Sequence, residues 1–209
     1  PAANDPKDLR QAVLDHMHVG MTNQTLLAEE GGPLLMESAE GIYVTDVEGN
    51  KFIDGISGMY FRNAGHGREE IAKAIYDQLV SISMNVYSGA TPKTIQLAAK
   101  LSELAPGDLT RTFFCQGGSE ANESSLKMAQ AYHVRRGDRG RYKVISREGS
   151  YHGSTYGTMW LGGHPGFPRH DYQPKPANVV TVGQPHYYHD TYGASSAEQN
   201  GERAALDIE

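Results

Sequence analysis

"FFCQGGSEANESSLKMAQAYH", Phe113 to His133, opens on an apolar run, tightens onto two glycines and a serine, and continues with helical spacing. The run Arg111 to Cys115 reads as a short strand and Ser119 to about Val134 as a helix. Gly117-Gly118-Ser119 therefore lies where a strand turns into a helix N-terminus, the place where ligands gather in a parallel α/β sheet. A helix start offers unpaired backbone N–H groups and about half a positive charge from the macrodipole, which suits an anion. Two glycines let the backbone approach that anion with no Cβ in the way, and the Ser119 hydroxyl could donate a further hydrogen bond. Ser119 could equally be the N-cap of its own helix. There is no Gly-x-x-x-x-Gly-Lys-Ser/Thr motif, and the third glycine of the dinucleotide fingerprint is missing, so neither nucleotide motif explains the triplet.

Around this centre the chain alternates. Lys143 to Ser146 and Asn178 to Val182 read as further strands, and strands alternating with helices imply an α/β fold with a largely parallel sheet. On the helix after the glycines, Ala121, Ser125, Met128, Ala129 and Tyr132 share a face whose mostly small side chains would lie close against the sheet. Upstream, Ile71, Ile75, Leu79 and Ile82 form a helical stripe. A following helix starts at Thr91-Pro92, is expected to bury Leu97, Leu101 and Leu104, and stops at Pro106-Gly107. Leu34 to Ile53 reads as a small β-meander with a turn at Glu48-Gly49-Asn50. Asp5-Pro6 predicts an N-cap and first residue for a short N-terminal helix carrying Leu9, Ala12, Val13 and Met17.

Composition removes several function classes. The chain has 209 residues, 38% hydrophobic and 21% charged, with a formal net charge of −6. A nucleic-acid binder needs a concentrated basic surface, and the basic cluster, Arg135 to Arg141, sits between a helix and a strand as a solvated turn would. No apolar run reaches the length of a bilayer span and "PAANDPKDL" has no signal-peptide core, which leads to the expectation of a cytoplasmic protein without membrane association. Cys115 is the single cysteine, which leaves no internal disulfide, and its apolar neighbours suggest a small buried side chain. The histidines His164, His170, His186 and His189 raise a metal site, but Pro185, Tyr192 and Gly193 around "HYYHD" argue for a loop, so none is expected.

A second stretch, "KVISREGSYHGSTYGTMWLGG" (Lys143 to Gly163), puts Tyr151-His152-Gly153 just past the next strand. Both loops would open on the same sheet edge, so an aromatic ring could stand beside the anion site, a pairing that suits a flat heteroaromatic ligand carrying a phosphate. A half-buried packing role for Tyr151 and a core or capping role for His152 remain open.

"GGSEANESSLKMA", "VISREGSYHGST" and "EGIYVTDVEGNKFIDGISGMYFRNAGHG" together closely resemble the class III aminotransferases of pyridoxal-5′-phosphate fold type I, most of all the ω-amino acid or amine:pyruvate branch. The resemblance runs from about Val13 onward. It departs at Gly117, where relatives often carry serine. The resemblance implies that Gly117, Gly118 and Ser119 hold the phosphate of pyridoxal 5′-phosphate, that Tyr151 stacks on its ring and that His152 packs beside it. It also implies that Tyr60 walls the substrate pocket, core packing being the other reading, and that Tyr87 lies near the active site of a second subunit, at the interface of a homodimer or higher homo-oligomer. The family's lysine that holds the cofactor, and the aspartate that pairs with its ring nitrogen, lie on later strands. None of the eight lysines here stands in the expected context, so no catalytic residue is assigned and the 209-residue chain alone is expected to be inactive.

The chain thus reads as the N-terminal half of such an enzyme, with residues 1–60 opening the small domain and 61–209 the first part of the large cofactor domain. "ERAALDIE" is helix-like without a stop signal. The whole enzyme would move an amino group from an amine or ω-amino acid to a keto acid such as pyruvate. A same-family aminomutase or decarboxylase, or a non-catalytic module on the same fold, would share these residues.

Overall fold

Asp5 accepts a hydrogen bond from the Lys7 backbone N–H at 2.8 Å, and with Pro6 it starts helix α1 (Pro6–His16) as the sequence predicts. The computed structural model describes residues 5–209 except 21, 85–87, 165, 167, 168, 173 and 191. Its chain divides into two units, Pro1–Leu104 and Ala105–Glu209.

In the first unit, Asn23 caps a short helix α2 (Gln24–Glu29) that the sequence pattern does not announce. The expected meander follows as β1 (Met36–Glu40), β2 (Tyr43–Asp46) and β3 (Lys51–Ile53), antiparallel and in that order. Asp46, only 2% exposed, builds the turn between β2 and β3 by accepting from the Glu48 and Asn50 N–H groups and from Asn50 Nδ2 at 2.8–3.0 Å. The Asn50 side chain, with these backbone bonds, holds the Asp46 carboxyl below its ordinary value of 3.8.

One turn, α3 (Ser57–Tyr60), carries positive φ at all four residues, from 51° at Ser57 to 76° at Tyr60. Left-handed backbone is costly for residues with a Cβ, so something must hold it. Asp54 Oδ2 does, accepting from Gly58 N at 2.7 Å and bonding His66 Nε2 at 2.8 Å. Helices α4 (Glu69–Ser81) and α5 (Pro92–Leu104) fall where predicted. Their apolar stripes, however, are not buried within this chain: Ile75 is 55% exposed and Leu104 71%, and Ile71, Leu79, Ile82, Leu97 and Leu101 are exposed as well.

In the second unit, α6 (Gly118–Arg135), β4 (Val144–Arg147), a short α7 (Tyr156–Met159), β5 (Val179–Val182) and α8 (Ala197–Leu206) follow one another. β4 and β5 are parallel, Val144 opposite Val179 through Arg147 opposite Val182, as a crossover through α7 requires. The expected strand at Arg111–Cys115 does not form, because no partner backbone pairs with it among the described residues. Cys115 is accordingly half-buried rather than buried. Residues 135–141 end α6 and turn, as expected from the sequence.

Trp160, Leu161 and Val179 form the buried core, with Leu126, Val144 and Met159 packed against it. Fully burying a side chain such as Leu161 is worth about 1.5–3 kcal/mol. Leu126 brings α6 to this core, so the inward face of that helix is Ser119, Asn122, Glu123 and Leu126. The face predicted from small residues, Ala121, Ser125, Met128, Ala129 and Tyr132, points outward within this chain. Polar ties to the next loop, not small apolar contacts, decide which way the helix turns.

Candidate functional site

Gly117 is the N-cap of α6, with extended backbone (φ −169°, ψ 179°) and no side-chain cap bond. Ser119 is therefore not the cap. It sits in the first helical turn, and its Oγ accepts the Ser154 backbone N–H at 3.1 Å. That leaves the hydroxyl proton to donate elsewhere, beside the uncapped first-turn N–H groups of Gly118 and Ser119. A Cβ added to Gly118 would meet no atom within 4 Å, whereas one at Gly117 would stand 3.2 Å from Glu120 Oε2, so the ground beside the turn is open on the Gly118 side. Glu120 adds a like charge on this turn, but it is exposed, where water and salt screen it. Uncapped donors, open space and a donating hydroxyl fit a phosphate group.

The loop after β4 is fastened to this same helix. Asn122 Nδ2 donates to the His152 carbonyl at 2.7 Å. Glu123 Oε1 accepts from Thr155 Oγ1 at 2.7 Å, Gly157 N at 2.9 Å and Thr158 N at 3.1 Å. With the bond between Ser119 and Ser154, three side chains at i, i+3 and i+4 on α6 grip one loop. Gly153 lies where the approach is closest: at its φ of +138° an added Cβ would fall 2.4 Å from Thr158 Oγ1 and 3.0 Å from Ser119 Cα. Tyr151, 49% exposed, and His152, half-buried, are thereby carried on the loop that is bonded to the start of α6.

The structure thus places Gly117, Gly118 and Ser119 at the start of α6, and Tyr151 and His152 on the loop bonded to that helix. Sequence reasoning missed Asn122, Glu123 and Gly157. For Asn122 and Glu123 the signal was polar residues three and four positions after Ser119, on the helix face that the loop meets, whereas Gly157 carried none. Tyr60 stands on α3 in the first unit and is 81% exposed, so in this chain it is not a core residue. Tyr87 lies outside the described residues. His186 Nδ1 accepts the His189 N–H at 3.2 Å and caps a 3-10 turn (Tyr187–His189) where a loop was expected. Among the described residues no group of three or more His, Cys, Asp or Glu side chains is placed to hold a metal. Among them, also, no helix is long and apolar enough to cross a membrane.

Comparison with known proteins bears on the family and the fold. The family described as "Aminotransferase class-III" matches residues 27–208. The chain is 37% identical over 175 residues to an uncharacterized aminotransferase, YhxA, of Bacillus subtilis, covering 84% of this chain and 38% of that protein. It is 33% identical over 194 residues to the putrescine–pyruvate aminotransferase of Pseudomonas aeruginosa, covering 88% of this chain and 42% of the relative. Among solved structures it is similar to the omega transaminase of Pseudomonas jessenii in complex with PMP, with a TM-score of 0.88 and 32% identity over 96% of this chain and 44% of that one. The chain spans less than half the length of each of these proteins. Its architecture is that of the fold type I transferases expected from the resemblance. By family match, identity and fold, it belongs to the class III aminotransferases.

Proposed function

We propose that the full-length protein moves an amino group from an amine or ω-amino acid to a keto acid such as pyruvate, with pyridoxal 5′-phosphate as cofactor. The observation that carries this reading is the uncapped start of α6, with the loop bearing Tyr151 and His152 bonded onto it, in a chain of this family. The P. jessenii relative was solved in complex with PMP, the aminated form of the same cofactor.

Gly118 and Ser119 would hold the phosphate with their backbone N–H groups and the Ser119 hydroxyl, where the helix dipole favours negative charge. Gly117 would supply close backbone approach. Tyr151 would present its ring to the face of the pyridine, and His152 would flank it. When bound, the cofactor supplies an electron sink that stabilises negative charge on the substrate carbon during proton transfer. The family's cofactor-holding lysine would move that proton, and no lysine of this chain stands in its sequence context.

Tyr60 would wall the substrate pocket, and Tyr87 would lie near the active site of a second subunit in a homodimer. The exposed stripes of α4 and α5 and the outward face of α6 support this reading, since a second subunit and further chain would cover them. We also propose the cytoplasm as its location, and residue 60 as the boundary between the small and large domains. The test is to supply the purified full-length protein with pyridoxal phosphate, an amine donor and pyruvate, and to measure alanine. Alanine formation that requires both donor and cofactor is expected. Its absence across monoamines, diamines and ω-amino acids would reject the activity.

A further inference from the structure

Glu123 has no part in the chemistry above, yet three groups of the ring-side loop converge on one of its oxygens. Two of them are the N–H groups of the second and third residues of α7, whose N-cap residue, Thr155, makes no side-chain cap bond. The Thr155 hydroxyl instead lies 2.7 Å from both Glu123 Oε1 and Thr158 Oγ1. A carboxylate borrowed from α6 thus caps α7, complementing both its unpaired donors and its dipole. Thr158 is fully buried, so its N–H would be orphaned without that oxygen. The approach is also exclusive: a Cβ at Gly157 would lie 2.5 Å from Glu123 Oε2. Leu126, one turn further along α6, anchors the helix in the core, so the carboxylate is a fixed point and the loop is what it fixes.

We propose that Glu123 is a positioning residue of the cofactor site, a carboxylate on the phosphate-binding helix that sets where Tyr151 and His152 stand relative to Gly118 and Ser119. This inference rests on the proposed cofactor site. Removing the carboxylate should loosen the ring side of the site and leave the phosphate side intact.

The experiment uses full-length protein stripped of cofactor, as wild type, Glu123→Ala, Glu123→Gln and Gly118→Asp. Hydrogen exchange of residues 151–159, apparent Kd for pyridoxal phosphate, and competition by inorganic phosphate are measured for each. Glu123→Ala should raise exchange at Gly157 and Thr158, weaken pyridoxal phosphate about tenfold and leave phosphate competition at the wild-type value. Glu123→Gln keeps an acceptor oxygen without the charge and should fall between. It also carries the test should Glu123→Ala not fold. Unchanged exchange and cofactor affinity, or a parallel loss of cofactor and phosphate binding, would overturn the role of Glu123. An unchanged cofactor affinity in Gly118→Asp would instead overturn the phosphate site itself.

Discussion

Gly153→Ala places a single methyl group at the closest contact between the phosphate helix and the ring-side loop. Two effects add. At φ +138° a residue with a Cβ is strained, at about 1–3 kcal/mol. The new Cβ would also lie 2.4 Å from Thr158 Oγ1 and 2.7 Å from Ser119 Oγ. Neither atom can simply swing aside, because Thr158 is buried and bonded to Thr155, and Ser119 Oγ is bonded to Ser154. Overpacking of this kind costs a further 1–3 kcal/mol or so. The sum, about 2–6 kcal/mol, exceeds a typical surface substitution several-fold. Much of it can be relieved if the loop lifts off α6, so the loss should appear chiefly as weaker pyridoxal phosphate binding, by at least about tenfold. The assay is a cofactor titration with a parallel denaturant midpoint in the full-length protein. Gly201→Ala is the control: it sits in α8 with nothing within 4 Å of the added Cβ and should stabilise by roughly 0.5–1 kcal/mol. A Gly153→Ala protein with wild-type affinity and midpoint would refute the claim that this contact sets the site.

Tyr151→Ala should weaken cofactor binding by about 1 kcal/mol, roughly fivefold, through lost ring contact, and a cofactor titration that matches wild type would remove Tyr151 from the site. Tyr60→Ala should alter the ranking of bulky against small amine donors while leaving cofactor affinity near wild type; a fixed ranking in a less stable protein would make it a packing residue. Asp46 titrates below its ordinary value of 3.8 because of its bonds from Asn50 and Glu48, so the folded state binds fewer protons there than the unfolded one. Its contribution to the β2–β3 turn is full above 3.8 and lost as pH falls through the lower folded value, so hydrogen exchange of the turn should rise in acid in the wild type and show no such acid step in Asp46→Asn.

The parts of the fold set by neighbours in sequence are legible in the amino-acid pattern alone. Asp5-Pro6 starts α1 because cap and first-turn proline act within three residues, and Asp46 and Glu48-Gly49-Asn50 close their turn locally. The helix after the two glycines is equally plain. What the pattern hides depends on contacts far along the chain. Arg111–Cys115 has strand composition, but a strand needs a partner backbone, which periodicity cannot supply. The inward face of α6 differs from its small-residue face for the same reason: Glu123 reaches Gly157, 34 residues away, and that tie outranks the small side chains on the other face. Gly118 and Ser119 can be named from their pattern, while Glu123 and Gly157 show their purpose only together.

The central claim, that the start of α6 holds the phosphate of the cofactor, is tested most directly by a crystal structure of the full-length protein with pyridoxal phosphate. The account predicts phosphate oxygens within hydrogen-bonding distance of the Gly118 and Ser119 N–H groups, with the Tyr151 ring against the pyridine. A phosphate bound elsewhere, with the α6 N-terminus solvated, would contradict it.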